Sequence, residues 1–190
     1  MGIAERFRQA AEAARSTLQD REPVGDPSAI RGTQREETAD VDLAWRTRAL
    51  GAPDPYSLIS HDEIAAITGI PVGPPSIAFT DDDLGVRFEA RNGLDQLWSF
   101  GVHAGHAVDE STPFDPVTWY EWMVALLDRA TPVAGVGDAA VFQAPRLLYV
   151  RGAGRAFYVL IDAPDASPVR LWATLIARRV IQRFVSGEAG

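Results

Sequence analysis

The chain has 190 residues, of which 46% are hydrophobic and 23% charged, and its net charge of −8 argues against a nucleic-acid partner because phosphates repel an acidic surface. It contains no cysteine, which excludes disulfides, zinc–thiolate sites, thiol nucleophiles and lipid-bearing cysteines. No apolar run has the length of a transmembrane helix, and the first residues lack the pattern of a signal peptide, so we expect a cytoplasmic protein.

Residues 1–20 are predicted to form an amphipathic helix. The apolar side chains that recur at helical spacing are Ile3, Phe7, Ala10, Ala14 and Leu18. The arginines on the polar face are balanced by Glu5, Glu12 and Asp20, whereas helices that bind anionic membranes usually have a basic face and bulkier apolar residues. We therefore favour a groove on a protein partner as the surface for this helix, with its own domain and a membrane as alternatives.

Residues 21–54 are predicted to form a linker or extended arm. The segment is rich in charged residues, Pro, Gly and Thr, and most of it has little to bury. Trp45 lies in the arm, close to Asp42, Arg46 and Arg48. An aromatic residue in a polar arm is either an anchor for a partner or a strap onto the surface of its own domain, and both interpretations stay open.

The folded domain is predicted over residues 55–187. Ser60 and Glu63 have the spacing of a capping box, which predicts a helix over 61–68 that ends at Gly69. Three strands follow, the second and third joined at Asn92-Gly93, a strong hairpin signal. Asp115 and Pro116 then begin a second helix that runs to Pro132.

Three more strands and a closing helix complete the predicted domain. Two of the strands form a hairpin around residues 152–154, and Ser167 with Pro168 precedes the last helix as its expected cap. The predicted fold class is therefore α+β. We expect a central, mainly antiparallel sheet of six strands flanked by helices, in the order α-βββ-α-βββ-α.

The stretch Gly135-Val-Gly-Asp-Ala-Ala140 fits the pattern G-x-G-x-x-A, which can hold a pyrophosphate. That function needs a strand before the glycines and a helix after them. Here the predicted order is reversed, with a helix before and a strand after. The pattern therefore predicts a structural turn, and no cofactor is expected.

His103, His106 and Asp109 form the one pattern that resembles a set of metal ligands. Positions three apart on a strand point to opposite faces, so a strand end that runs into a polar loop is the favoured interpretation. The run Asp81 to Asp83 lacks the ligand spacing of a calcium loop and is predicted to be a solvated turn. No nucleophile motif is present, and we expect no catalysis.

From residue 55 onward the chain resembles a known group of proteins. The resemblance rests on DPYSLISHDEIAAITGIPV, TPVAGVGDAAVF, LLYVRGAGRAFYVLI and the closing helix. These stretches are similar to small actinobacterial proteins of PsbP-like fold, which include LpqN-type lipoproteins. The resemblance implies an antiparallel sheet between helices and a non-catalytic binding or accessory role. All 18 basic residues are arginine, a composition typical of high-GC bacteria, but the signal peptide and cysteine of those lipoproteins are missing.

Three functions are consistent with these patterns. The leading one is a non-catalytic interaction module, an adaptor or accessory subunit that docks onto a larger bacterial assembly through Trp45 and the N-terminal helix. The alternative is a small-ligand-binding domain with a pocket between the sheet and a helix. The second alternative is a metal-dependent enzyme that uses His103 and His106.

Overall fold

The computed structural model describes residues 43–80, 82–91, 97–164 and 167–188. The elements in chain order are α1 Pro55–Leu58, α2 His61–Thr68, β1 Ser76–Phe79, β2 Asp83–Arg91, β3 Leu97–Gly105, α3 Pro116–Ala125, β4 Thr131–Pro132, β5 Ala139–Gln143, β6 Leu147–Gly152, β7 Arg155–Asp162 and α4 Val169–Ser186. The strands form one sheet in the order β1-β2-β3-β7-β6-β5-β4, and every neighbouring pair is antiparallel. The predicted α+β class with an antiparallel sheet is confirmed.

The sheet has seven strands instead of the predicted six because the short strand β4 follows α3. Its residues Thr131 and Pro132 pair with β5 at the edge of the sheet. Two residues are too few to show an alternating pattern, and proline is tolerated at an edge where no further donor is needed. α3 accordingly ends at Ala125, earlier than predicted.

Local capping signals fix the starts of two helices. Ser60 and Glu63 form the predicted capping box, and Gly69 ends α2 with a φ of 73°. The Asp115 carboxylate caps α3 by accepting the Val117 N–H, also as predicted. The prediction for Ser167 is wrong, since α4 has Pro168 at its N-cap and no side-chain capping bond.

Side chains alternate across the sheet, which therefore has two faces. The first face carries the main core, and its buried residues include Val86, Phe88, Phe100, Val102, Leu148, Val150, Phe157, Val159 and Ile161. α4 covers this face, with Trp172 packed edge-on against Phe100 and Phe184 against Phe157. The second face is partly covered by α3, so the strands of the sheet centre are apolar on both sides.

Residues 43–54, which were predicted to end the arm, contact the domain. Residues 43–49 are helical. Leu50 and Ala52 are buried, and the backbone carbonyl of Leu50 accepts the Ala107 N–H at 3.2 Å. These few apolar residues pack against the domain, although the segment as a whole is polar in composition. The predicted helix 1–20, the arm up to residue 42 and the Asn92-Gly93 turn lie outside the described residues.

The glycine-rich stretch forms a tight turn as predicted, but the element before it is strand β4 and not the predicted helix. Gly135 and Gly137 have φ values of 71° and 57°, which glycine adopts without strain. The turn is tied to β6, because the Asp138 N–H donates to the Arg151 carbonyl at 2.8 Å. A strand follows the glycines, so no helix N-terminus faces them. In the described part of the chain, no helix is both long and apolar enough to cross a membrane.

Glu63 also joins α2 to α4, and this contact makes stability depend on pH. Burial raises the pKa of Glu63, but the Ser60 N–H, Arg179 and Arg183 outweigh it and hold the pKa below its ordinary value of 4.5. The stabilisation is therefore complete above pH 4.5 and is lost as the pH falls through the lower folded-state pKa. We expect Glu63→Gln to lower the free energy of unfolding by about 1 kcal/mol at neutral pH, and less in acid.

Urea unfolding of both proteins from neutral to acid pH measures this difference. Asp62→Asn is the matched control, because the Asp62 side chain is 88% exposed in the same helical turn. A difference for Glu63→Gln that stays constant with pH contradicts the assigned role of the carboxylate.

Candidate ligand-binding site

A groove runs along the second face of the sheet beside α3, and we call it the α3 groove. It encloses a cavity of about 620 Å³. Trp122, Met123 and Leu126 of α3 line one wall, and Leu147 and Leu160 lie on the sheet floor. The residues at the polar end are Thr80, Asp82, Asp83, Tyr149 and Tyr158. A cavity of this size, mainly apolar with a few convergent polar groups, is typical of sites for small molecules.

Asp83 is the centre of the polar end. As the first residue of β2 it lies beside β3 and β7 and is only 4% exposed. Its Oδ1 accepts the Nδ1–H of His103 at 2.9 Å, and its Oδ2 accepts the Tyr158 hydroxyl at 3.2 Å. The Thr80 hydroxyl lies 2.8 Å from the same Oδ2. Several donors therefore compensate for the burial of this carboxylate.

Asp82 attaches α3 to the same end of the groove. Its Oδ2 accepts the indole N–H of Trp119 at 3.0 Å. The Trp119 ring lies nearly parallel to Tyr158, which in turn stacks on His103 with ring centres 4.7 Å apart. Two adjacent carboxylates thus hold the two outer rings of one aromatic stack, which makes this end of the groove preorganised.

The close packing of the stack depends on glycine. A Cβ atom at Gly85 would lie 2.6 Å from the His103 ring, and one at Gly105 would lie 2.8 Å from Trp119. Both separations are shorter than ordinary contacts, so larger residues at these positions would displace the rings.

Tyr149 lines the polar end of the groove beside Tyr158. The residue is 94% buried, at 6% exposure, and its ring contacts the Tyr158 ring with centres 5.5 Å apart. Burial, together with the charges of Asp83 and Asp82, raises the pKa of Tyr149 to about 12, and the pKa of Tyr158 is raised for the same reasons. Both phenols therefore stay protonated at neutral pH.

Charged side chains lie at both ends of the groove. At the polar end the Arg46 guanidinium donates to the Thr80 carbonyl at 2.5 Å, beside Asp82 and Asp83. At the opposite end Arg146 is more than half exposed and is paired with Asp162 at 2.6 Å. The polar end therefore has positive as well as negative groups around it.

The structure separates the three residues of the predicted metal pattern. His103 bonds Asp83, whereas His106 donates its Nδ1–H to the Ala107 carbonyl and faces Arg46 through Nε2 at 3.2 Å. Asp109 accepts hydrogen bonds from Ser111 and Thr112 in an exposed turn. The described residues contain no group of three or more His, Asp or Glu side chains placed to hold a metal ion.

The predicted partner-binding residues are only partly described. Trp45 contacts the domain through a hydrogen bond from its indole N–H to Glu110 at 3.2 Å, while 44% of it stays exposed. It therefore straps the 43–49 helix to the domain, and a further role in partner binding stays a prediction. The other predicted contacts, Ile3, Phe7, Ala10, Ala14 and Leu18, lie outside the described residues.

The residues that form the groove were not found from the sequence. Asp82 and Asp83 were predicted to be solvated, but Asp83 is buried and Asp82 half-buried. A signal was present, because Asp83 precedes the buried strand residues Leu84 to Val86 and alternation places it on the same face as Gly85. Tyr149 and Tyr158 are likewise polar side chains in strands that are otherwise apolar.

Comparison with known proteins leaves the chain without an assigned relative. No family model matches it, and neither a curated protein nor a solved structure does. The resemblance to proteins of PsbP-like fold therefore stays a hypothesis.

Proposed function

We propose that the domain binds a small molecule in the α3 groove. The observation that carries this proposal is the preorganised polar end of the groove, where Asp83 holds His103 and Tyr158 and Asp82 holds Trp119. These groups lie beside a mainly apolar cavity of about 620 Å³. Such a combination is typical of a site for a small molecule.

The α3 groove is better suited to a ligand than the cavity beside the start of α4. That cavity has a volume of about 690 Å³ and is slightly larger. Its charged lining residues are Arg146 and Asp162, which are paired with each other, and the exposed Arg170. In the α3 groove Asp83 is buried and its hydrogen bonds hold His103 and Tyr158 in one stack, so the positions of these groups are set before a ligand arrives.

The adaptor function proposed from the N-terminal helix is compatible with a ligand site. The helix and the arm are separate in sequence from the residues of the groove, so one chain can carry both functions. The geometry of the described residues supports the ligand site more directly, because all of its contacts are present. Docking through Phe7 and its neighbours stays a prediction.

Blocking the groove tests the proposed function. Ligand-detected NMR with a library of aromatic and aliphatic fragments identifies compounds that bind the full chain. Leu160→Trp should abolish their binding, because the larger ring occupies the floor of the groove. Leu171→Trp is the matched control on an exposed position of α4 and should retain binding. Fragments that bind both variants equally, or no binding fragments at all, contradict the proposal.

A further inference from the structure

We propose that the contact between His106 and Arg46 is a pH-sensitive latch on the 43–49 helix, and that the latch opens when the His106 ring takes up a proton. The contact joins this helix to the loop that follows β3. The same loop is tied to the turn between β1 and β2, because the His106 N–H donates to the Asp82 carbonyl at 2.9 Å. Opening of the latch does not require a ligand in the α3 groove.

Two neighbours fix the protonation state of the His106 ring. Its Nδ1 lies 2.6 Å from the Ala107 carbonyl oxygen, which can only accept, so Nδ1 carries a proton. Its Nε2 lies 3.2 Å from Arg46 Nη1, which can only donate, so Nε2 accepts through its lone pair. The latched geometry therefore fits the neutral imidazole and has no place for a second proton.

A proton on Nε2 of His106 would oppose the contact in two ways. It turns the nitrogen into a donor that faces another donor, and it places two positive charges next to each other. His106 is only 1% exposed, so water cannot take the place of the lost partner without some opening of the structure. Histidine is the side chain that ordinarily changes its charge between about pH 5 and 8, so this conflict arises in mildly acidic solution.

The carboxylates near this contact are engaged by other groups. Asp109 accepts from its own turn, and Glu110 accepts from the 43–49 helix. The side chains of Asp82 and Asp83 bond groups at the polar end of the α3 groove, namely Thr80, His103, Trp119 and Tyr158. Among the described residues none of these carboxylates bonds the His106 ring, so none is in place to pair with a charged imidazole.

Arg46 attaches the helix to the edge of the sheet. Its guanidinium donates to the Thr80 carbonyl at 2.5 Å and lies over the Phe79 ring, 4.8 Å from the ring centre. Repulsion from a charged His106 displaces the guanidinium from this position and weakens both contacts. Protonation of one buried ring is thereby coupled to the attachment of the helix.

The other attachments of the helix are weak, whereas the segment that follows it is anchored. Trp45 is 44% exposed where it bonds Glu110, and a helix as short as this one has little stability of its own. By contrast Leu50 is buried, and its carbonyl accepts the Ala107 N–H at 3.2 Å. Protonation of His106 should therefore release the helix and leave the residues after it in place.

Amide hydrogen exchange of the full chain at about pH 7.5 and about pH 5.5 tests the latch, with the intrinsic exchange rate at each pH divided out. We expect the protection of residues 43–49 to fall at least about tenfold over this interval, because one coupled proton changes an equilibrium by up to about tenfold per pH unit. The central strand β7 is the internal reference and should keep its protection.

Three variants connect the effect to the two partners. His106→Gln should abolish the pH dependence, because the amide oxygen of glutamine can accept from Arg46 and does not titrate. His61→Gln is the matched control and should keep the dependence, since the His61 side chain is 56% exposed on α2. Arg46→Gln removes the positive charge and the attachment, so protection should be low at both pH values.

Two results would overturn the latch. One is protection of residues 43–49 that does not change with pH in the unsubstituted chain. The other is a fall in protection that persists in His106→Gln or in Arg46→Gln, because it then belongs to another group. Thermal melting verifies that the variants fold, and if His106→Gln does not, the comparison with Arg46→Gln decides.

Discussion

Gly137→Ala is expected to lower the free energy of unfolding by about 3–5 kcal/mol. The left-handed backbone conformation of an alanine accounts for about 1–2 kcal/mol of this loss, and the clash of its Cβ atom accounts for the rest. A Cβ atom at this position would overlap the Arg151 carbonyl oxygen and lie 3.1 Å from its carbonyl carbon. The clash is with backbone in β6, so a side-chain rotation cannot relieve it. The same carbonyl accepts the Asp138 N–H, and moving it would also weaken that bond.

Gly154→Ala is the matched control for this effect. Gly154 also has a positive φ, 70°, but a Cβ atom there would meet nothing within 4 Å. It should therefore show only the backbone penalty of about 1–2 kcal/mol. Equilibrium urea unfolding measures both variants, and equal losses would show that the 135–138 turn does not pack against β6 as described.

Asp83→Ala is expected to lower the free energy of unfolding by about 3 kcal/mol or more, because removing one partner of a buried network leaves the others unsatisfied. The His103 N–H and the Tyr158 hydroxyl would both lose their acceptor. The aromatic stack would also lose the group that orients the imidazole, so near-ultraviolet circular dichroism should change with stability.

Asp162→Ala provides the comparison on an exposed carboxylate. Asp162 pairs with Arg146 across two side chains that are 41% and 58% exposed, and such pairs contribute less than about 1 kcal/mol. Similar losses for Asp83→Ala and Asp162→Ala would contradict the hydrogen-bond network at the polar end of the groove.

Features set by neighbouring residues were predicted well. The Ser60–Glu63 capping box, the Asp115 cap and the hairpin at 152–154 each depend on contacts within a few residues, and the structure contains all three. β4 was missed because two residues carry no periodic signal. Residues 43–54 were assigned to the arm because their few buried positions are separated by charged ones.

The candidate site could not be predicted because its contacts cross the sheet. Tyr158 lies 75 positions from Asp83 in the sequence, and Trp119 lies 37 from Asp82. Tyr158 reaches Asp83 because β7 lies next to β3, at the centre of the sheet. Composition and spacing contain no information on that strand order. The sequence does predict that Asp83 and Gly85 lie on the same face of β2, because alternate residues of a strand share a face.

The most direct test of ligand binding in the α3 groove uses the methionine methyl groups. The chain contains two methionines, Met1 and Met123, and Met123 lines the groove. In protein labelled with carbon-13 at the methionine methyls, the Met123→Leu variant assigns the two signals. Titration with a fragment that binds should shift the Met123 signal in a saturable way and leave the Met1 signal in place. Saturable binding that leaves the Met123 signal unmoved would contradict the account.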